Sequence, residues 1–313
     1  ATLALPYRDA LRRARVSGGA DVQTITPGKL AYEMLNLFFP LIAEEVGFAN
    51  PDDPPHFLSL ELVQYYMTRF VEPEIEQQDY FNSVHITRNR LFTQIIDNLN
   101  KSALVGFDYH TIAEQLTAAW RGDISQHYIY QDAQVSAETF RNLCLQHNLL
   151  DFSLQMSLFH TILWQRPQVR RYLSGQYRHL IVDNIEEETP AAHDILRDWL
   201  PDFESALVIY DTQAGYRRFL GADAVHAYSL KDDCEIHLSL DNHRVMSSEI
   251  EALQTELAIS LDVPVDEKAK KVDAREAIVY TDTVYYTQMV EWIVEAVAAL
   301  VHEEGVSPGE IVI

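Results

Sequence analysis

Positive charge is scarce in this chain. Of its 313 residues, 24 are Lys or Arg and 47 are Asp or Glu, a formal charge of −23. Phosphate backbones are gripped by clustered Lys and Arg, so a broad nucleic-acid-binding surface is excluded, while a narrow groove is not. The acidity suits a soluble protein with a protein partner. Cysteine is almost missing. Cys144 and Cys234 lie far apart, which suits a reducing, cytoplasmic compartment. Cys234-Glu235-Ile236-His237 has a ligand-like spacing, but without a second pair it does not make a zinc site. Long apolar runs are missing too, and none approaches the roughly 20 residues of a membrane span. No signal-peptide pattern opens the chain, and no internal repeat is visible. With 47% hydrophobic residues, the chain can build two or three domains with ample core.

What is present starts with Leu180-Ile181-Val182-Asp183-Asn184-Ile185-Glu186-Glu187-Glu188-Thr189-Pro190. An apolar run ends in Asp, an acidic turn follows, and Thr189-Pro190 reads as the N-cap and first residue of a helix. A buried parallel strand delivers a carboxylate in this way to the carboxyl edge of a sheet, where α/β proteins bind ligands. In nucleotide hydrolases an Asp so positioned holds the magnesium ion of ATP. The alternative is a helix-capping acidic turn. His193 and Asp194, on the helix that follows, read as a solvated face rather than a metal or acid/base cluster.

Along the chain, residues 1–49 alternate strand and helix. Val22 to Ile25 is a short strand, and Leu30, Met34, Leu35, Phe38 and Phe39 recur at helical period. Arg8, Arg12, Arg13 and Arg15 read as a solvated helix face. Asn50 to Pro55 is a turn-rich break. A helical pattern without a convincing strand runs from there to about Tyr172, with Phe92, Ile95, Ile96 and Leu99 on one face and its aromatics read as core. Strand–helix alternation returns over residues 176–232. Further strands are expected at Glu235 to Leu238, Ala277 to Tyr280 and Glu310 to Ile313. Between the last two, Val290, Ile293, Val294, Val297, Leu300 and Val301 share one helix face.

In order and spacing, these stretches resemble the UvrD/Rep family of superfamily 1 DNA helicases. Val182 to Pro190 is similar to the family's V-D-E-F-Q-D-T-N-P. Asp211-Thr212-Gln213-Ala214-Gly215-Tyr216-Arg217-Arg218-Phe219-Leu220-Gly221-Ala222, after a strand, resembles D-Q-S-I-Y-R-F-R-G-A. Asn242-His243-Arg244-Val245 resembles N-Y-R-S, and Leu150-Asp151-Phe152 and Arg166-Pro167-Gln168-Val169-Arg170 resemble L-D-F and N-P-E-V-R. The likeness covers most of the chain outside residues 50–140. It implies an α/β fold of RecA-like parallel sheets, of the P-loop NTPase type, with a large all-helical insertion. The first RecA-like domain would take residues 1–49 and 176–232, the insertion 50–175, and a second RecA-like domain would start at 233–313. It also implies a piece of a longer helicase, with the phosphate-binding loop before Thr2 to Leu5 and the last motifs after Gly305 to Ile313. Gly28-Lys29 is not that loop: Gln23 stands where its first glycine belongs, and Leu30 where Ser or Thr would bind magnesium.

The resemblance further implies ATP and Mg2+ as cofactors. Single-stranded DNA would be the partner in repair or recombination, alongside a protein partner in a repair complex, with no role for a membrane. Asp183 would bind the metal. Asn184 stands where the family has a water-orienting Glu, Gln213 would sense the γ-phosphate, and Arg244 would contact it. Tyr216, Arg217 and Phe219 would lie along the strand, where stacking contributes on the order of 1–3 kcal/mol per base. The departures are chemical. The amide of Asn184 cannot accept the proton that a carboxylate takes, and Glu187 is the candidate to replace it. Ile209, Tyr210, Ala214-Gly215, Val245 and Pro6 also depart from the family pattern. Three functions remain open: an ATP-dependent translocase or helicase; a catalytically degenerate helicase-like scaffold, as in RecBCD- and AddAB-like complexes; or an unrelated α/β protein whose acidic edge binds a ligand or partner.

Overall fold

A computed structural model describes residues 9, 10, 13, 22–212, 214–240, 246–263 and 272–312. The chain divides into two units, Ala1–His237 and Leu238–Ile313. It is mostly helical with two small parallel-strand pairs, an α/β-like arrangement. No helix among the described residues is long and apolar enough to cross a membrane. Of the basic cluster near the start, Arg8, Arg12 and Arg15 lie outside the described residues.

Helix α1, Pro27–Phe38, opens on Thr26, whose Oγ1 accepts the Lys29 N–H at 3.2 Å, with Pro27 in its first turn. Its buried stripe is Leu30, Ala31, Met34 and Leu35. Gly28 and Lys29 thus belong to a helical first turn. The Gly28 carbonyl accepts from Gln155 Nε2 at 2.8 Å, and Lys29 pairs with Glu33 at 3.4 Å. Residues 22–25, expected as a strand, join no ladder.

Helices then follow one another: α2, Arg88–Val105; α3, Ile112–Ala119; α4, Gln126–Gln146; α5, Phe152–Leu158. On α2 the face Leu91, Phe92, Ile95, Ile96, Leu99 and Ala103 is buried, and α2 packs on α5. The region holds one feature that its helical pattern hid. Strand β1, His56–Phe57, pairs in parallel with β2, Leu149–Leu150, with His56 opposite Leu149. Such two-residue strands carry too little alternation to be read from sequence.

Where β2 runs into α5 lies a buried ionic contact. Asp151 caps α5, accepting the N–H groups of Leu154 at 3.1 Å and Ser153 at 3.3 Å. Arg141 of α4 bonds both Asp151 and the Ser153 hydroxyl, and its guanidinium lies 5.7 Å from the centre of the Tyr109 ring. Arg141 is 3% exposed and Asp151 1%. Beside them, burial and then the Asp151 charge push the Cys144 thiol up to about 12.

Helix α6, Pro167–Gln176, leads to β3, His179–Val182, and α7, Pro190–Trp199, leads from it to β4, Ser205–Val208. β3 and β4 are parallel, with Val182 opposite Val208. Parallel neighbours need such a helical crossover. Arg170 of α6 ties the layers together: it bonds Asp198 Oδ2 at 2.6 Å, the Asp198 carbonyl at 2.8 Å and Asp202 at 3.2 Å, and lies over the Trp164 ring. Helix α8, Ala224–Tyr228, closes this part, with Ala227 and Leu230 buried against Ile185.

The second unit holds α9, Ser248–Ser260, and α10, Tyr286–His302. The expected strands are not formed among its described residues. Ile278 (φ −140°, ψ 134°) and Ile311 (φ −100°, ψ 128°) have extended backbones without ladder partners. Extended geometry is a local preference of such residues, whereas a strand exists only through its neighbour. The apolar face expected on α10 is there, but no residue of that helix is buried.

Two outcomes follow from the buried contact. Arg141→Leu leaves Asp151 buried without its cation and should lower unfolding free energy by about 3–5 kcal/mol in urea melts. In the native protein a disulfide reagent at pH 8 should modify Cys234 but leave Cys144 untouched until the chain unfolds.

Candidate functional site

The carboxyl ends of β3 and β4 lie side by side. Their ladder continues through Ile209 N–H to the Val182 carbonyl at 2.8 Å and Ile185 N–H to the Ile209 carbonyl at 3.3 Å. One strand therefore delivers Asp183 and the other Tyr210 and Asp211. Asp183 is half-buried, and its Oδ1 accepts the Asn184 N–H at 3.0 Å. Asn184 is exposed and left-handed, at φ 57° and ψ 45°. Asn is among the few residues that adopt this conformation readily.

The acidic turn behind them is committed to the backbone. Glu186 is 1% exposed, and its Oε2 accepts the Asp211 N–H at 3.1 Å. Glu187 gathers three successive donors: Gly215 N–H at 3.2 Å and Tyr216 N–H at 3.1 Å on Oε1, and Arg217 N–H at 3.0 Å on Oε2. Successive N–H groups of this kind form an anion-binding concavity, and here the anion is a side chain. Desolvation pushes the Glu187 carboxyl up. The Tyr216, Arg217 and Gly215 amides and the Arg217 guanidinium outweigh it and hold the carboxyl below its usual 4.5. Glu188 goes the other way: burial raises it, and Arg217 only partly opposes this. The concavity needs Gly215. Its φ is +95°, and a Cβ there would stand 2.8 Å from the Ala224 Cβ.

Thr189 and Pro190 open α7 as the sequence suggests, although the Thr189 hydroxyl makes no capping bond. The solvated-face expectation fails for His193, which is fully buried, while Asp194 is exposed. Its position on α7 turns it inward between Ala192 and Ile195, which are also buried. His193 Nε2 lies 3.0 Å from the Ile185 carbonyl, and its Nδ1 lies 3.3 Å from Nδ1 of His226 on α8. Among the described residues, no group of three His, Cys, Asp or Glu side chains could hold a metal ion by itself.

Tyr216 and Phe219 are 78% and 73% exposed, on a turn that Gly221 (φ 93°) closes. The Arg217 side chain is exposed beside them. Asp183, Asn184, Tyr216, Arg217 and Phe219 thus share the edge of one unit. Gln213 and Arg244 lie outside the described residues. The roles of Glu187, Gly215, His193 and His226 were not foreseen. A glycine four residues after a strand-ending Asp was the one available sign of a left-handed turn.

Glu187→Gln and Gly215→Ala should both loosen the loop. Hydrogen exchange should speed up at the amides of Gly215, Tyr216 and Arg217 while α2 amides keep their protection. Because the folded-state value of Glu187 is depressed, its contribution is present above about pH 4.5 and is lost as pH falls through the lower folded value. Acidification below pH 4.5 should therefore reproduce the Glu187→Gln pattern in the wild type. No family model matches this chain, and no curated protein matches it either.

Proposed function

We propose that the chain is a UvrD/Rep-like module, with RecA-like strand units, that binds nucleotide and single-stranded DNA as a scaffold and hydrolyses ATP slowly at best. One observation carries the second half of this reading. Two of the three carboxylates in the turn after Asp183 are engaged with backbone, Glu186 by Asp211 and Glu187, the candidate replacement for the water-orienting Glu, by Gly215, Tyr216 and Arg217. A carboxylate held by three N–H donors below its ordinary value is a poor proton acceptor. Asn184 supplies only an amide.

The likeness of motifs and the strand-end position of Asp183 support the nucleotide half. Magnesium bound to nucleotide takes one or two protein carboxylates and otherwise phosphate and water oxygens, and half-buried Asp183 fits as one such ligand. Gln213 and Arg244 are proposed as phosphate-facing groups on the likeness alone. Tyr216 and Phe219 offer exposed faces for base stacking, and Arg217 a cation for the backbone. Within so acidic a chain this is a narrow contact, which suits a subunit that works beside other DNA-binding proteins.

The protein at its full natural length should bind a fluorescent ATP analogue with magnesium, and Asp183→Ala should weaken that binding. Its ATP turnover with saturating single-stranded DNA should stay on the order of a hundred-fold or more below that of an active helicase, the size of effect that loss of one transition-state group produces. Asn184→Glu should raise turnover, although a Glu in a left-handed conformation is strained by about 1–2 kcal/mol. Vigorous DNA-stimulated hydrolysis by the wild type would overturn the scaffold reading in favour of an active translocase.

A further inference from the structure

We infer that His193 and His226 form a proton-sensitive latch that closes when both rings are neutral and, on opening, frees the loop that carries Tyr216 and Phe219. The hydrogen-bond chain fixes the protons. The Ile185 carbonyl can only accept, so His193 Nε2 carries a proton and donates to it across 3.0 Å. In a neutral ring His193 Nδ1 is then bare. It faces His226 Nδ1 at 3.3 Å, so His226 must donate from that atom. That leaves His226 Nε2 bare, 3.5 Å from Nη1 of Arg197, which is a donor. Every lone pair meets a hydrogen, and both rings are uncharged.

A proton on His193 undoes this order. The charged groups around the pair are Asp194 and Arg197 on α7, Asp223 at the start of α8, and Asp233 in the turn after it. Asp233 holds Arg197 Nε at 3.0 Å. His160, in the π-helical stretch Phe159–Leu163 that continues α5, also feels Asp194. His226 Nε2 also lies 3.7 Å from Asp194 Oδ1. A proton added to His193 must go to Nδ1, because Nε2 already carries one. Two N–H groups then face each other at 3.3 Å, one on the buried His193 ring and one on half-buried His226, with no acceptor between them. Burial first, and His226 after the opposing Ile185 bond, hold His193 below its usual 6.5.

What the latch holds is the base of the loop. The His193 bond pins the acidic turn at Ile185, and the His226 contact pins α8. The start of α8 is bonded back to both neighbours, through Asp223 N–H to the Glu188 carbonyl at 3.2 Å and Ala222 N–H to the Arg217 carbonyl at 3.2 Å. Ala224, the first residue of α8, abuts Gly215. If α8 shifts, the concavity around Glu187 loses its wall, and the turn with Tyr216 and Phe219 loses its anchor. This consequence holds whatever ligand those aromatics contact.

The sign is as for any group whose folded value is depressed. Latch stability is fully present above about pH 6.5 and is lost as pH falls through the lower folded value of His193. Hydrogen exchange over residues 214–222, corrected for intrinsic rate, should show the local opening constant rising by up to about ten-fold between pH 7.5 and 5.5. His193→Gln keeps a donor for the Ile185 carbonyl and cannot titrate, so it should show a flat profile over the same range. Equal protection of the wild type at both pH values, or the same rise in His193→Gln, overturns the latch. Should that variant fail to fold, nitrogen-15 imidazole spectra of the wild type decide: the His193 signal should titrate in step with the amides of residues 214–222. Independent midpoints would refute the coupling.

Discussion

A backbone N–H left over where a short strand or helix ends needs an acceptor, and at several such ends in this chain a carboxylate takes that task. The strands are only two and four residues long, so their ladders run out quickly. Asp151 takes over where β2 ends, Glu186 and Glu187 where β3 and β4 end, and Asp223 at the start of α8. At these four residues the acidity is therefore internal wiring rather than surface solvation. At Asp151 the arrangement includes Arg141 as well, whose buried cation offsets the cost of burying that carboxylate.

This constraint bears directly on what the acidic turn can do. A run such as Glu186-Glu187-Glu188 looks like a reserve of catalytic bases. Yet Glu186 is buried against Asp211 and Glu187 is saturated by three amides; of the three, only Glu188, which burial raises, has no backbone donor among the described residues. Asp183, on the same segment, differs in keeping one edge toward solvent, with a single bond from its neighbour's amide. Proximity to a strand end makes a carboxylate a candidate, and its hydrogen-bond partners decide whether it is available.

Legibility in the sequence followed the range of the physics involved. Helix α1, the buried face of α2 and the Val182–Asp183 strand end rest on local period and capping, which a linear pattern carries. Pairing does not show in that way. β1 and β2 join residues separated by the whole helical region, and the extended stretches at Ile278 and Ile311 look alike in sequence whether or not a neighbour exists. His193 was misjudged for a similar reason. Between Ala192 and Asp194 it could face either way, and only Ile185 and His226, brought in by the fold, make the buried side a satisfied one. The Glu187 concavity was invisible because its donors come from main chain about thirty residues on, which carry no side-chain signature except Gly215.

The departures from the helicase-like motifs are better understood together than singly. Asn184 suits the left-handed bend that turns the chain away from Asp183. That bend brings Glu187 to the loop. Gly215 supplies the left-handed backbone and the missing Cβ that let three amides converge on it beside Ala224. Tyr210 packs its ring 5.2 Å from that of Tyr228 on α8 and adds to the small core around Ile185, Ala227 and Leu230. Three of the departures, Asn184, Gly215 and Tyr210, thus lie where Glu187 and α8 fasten the loop with its exposed aromatics to the strand edge.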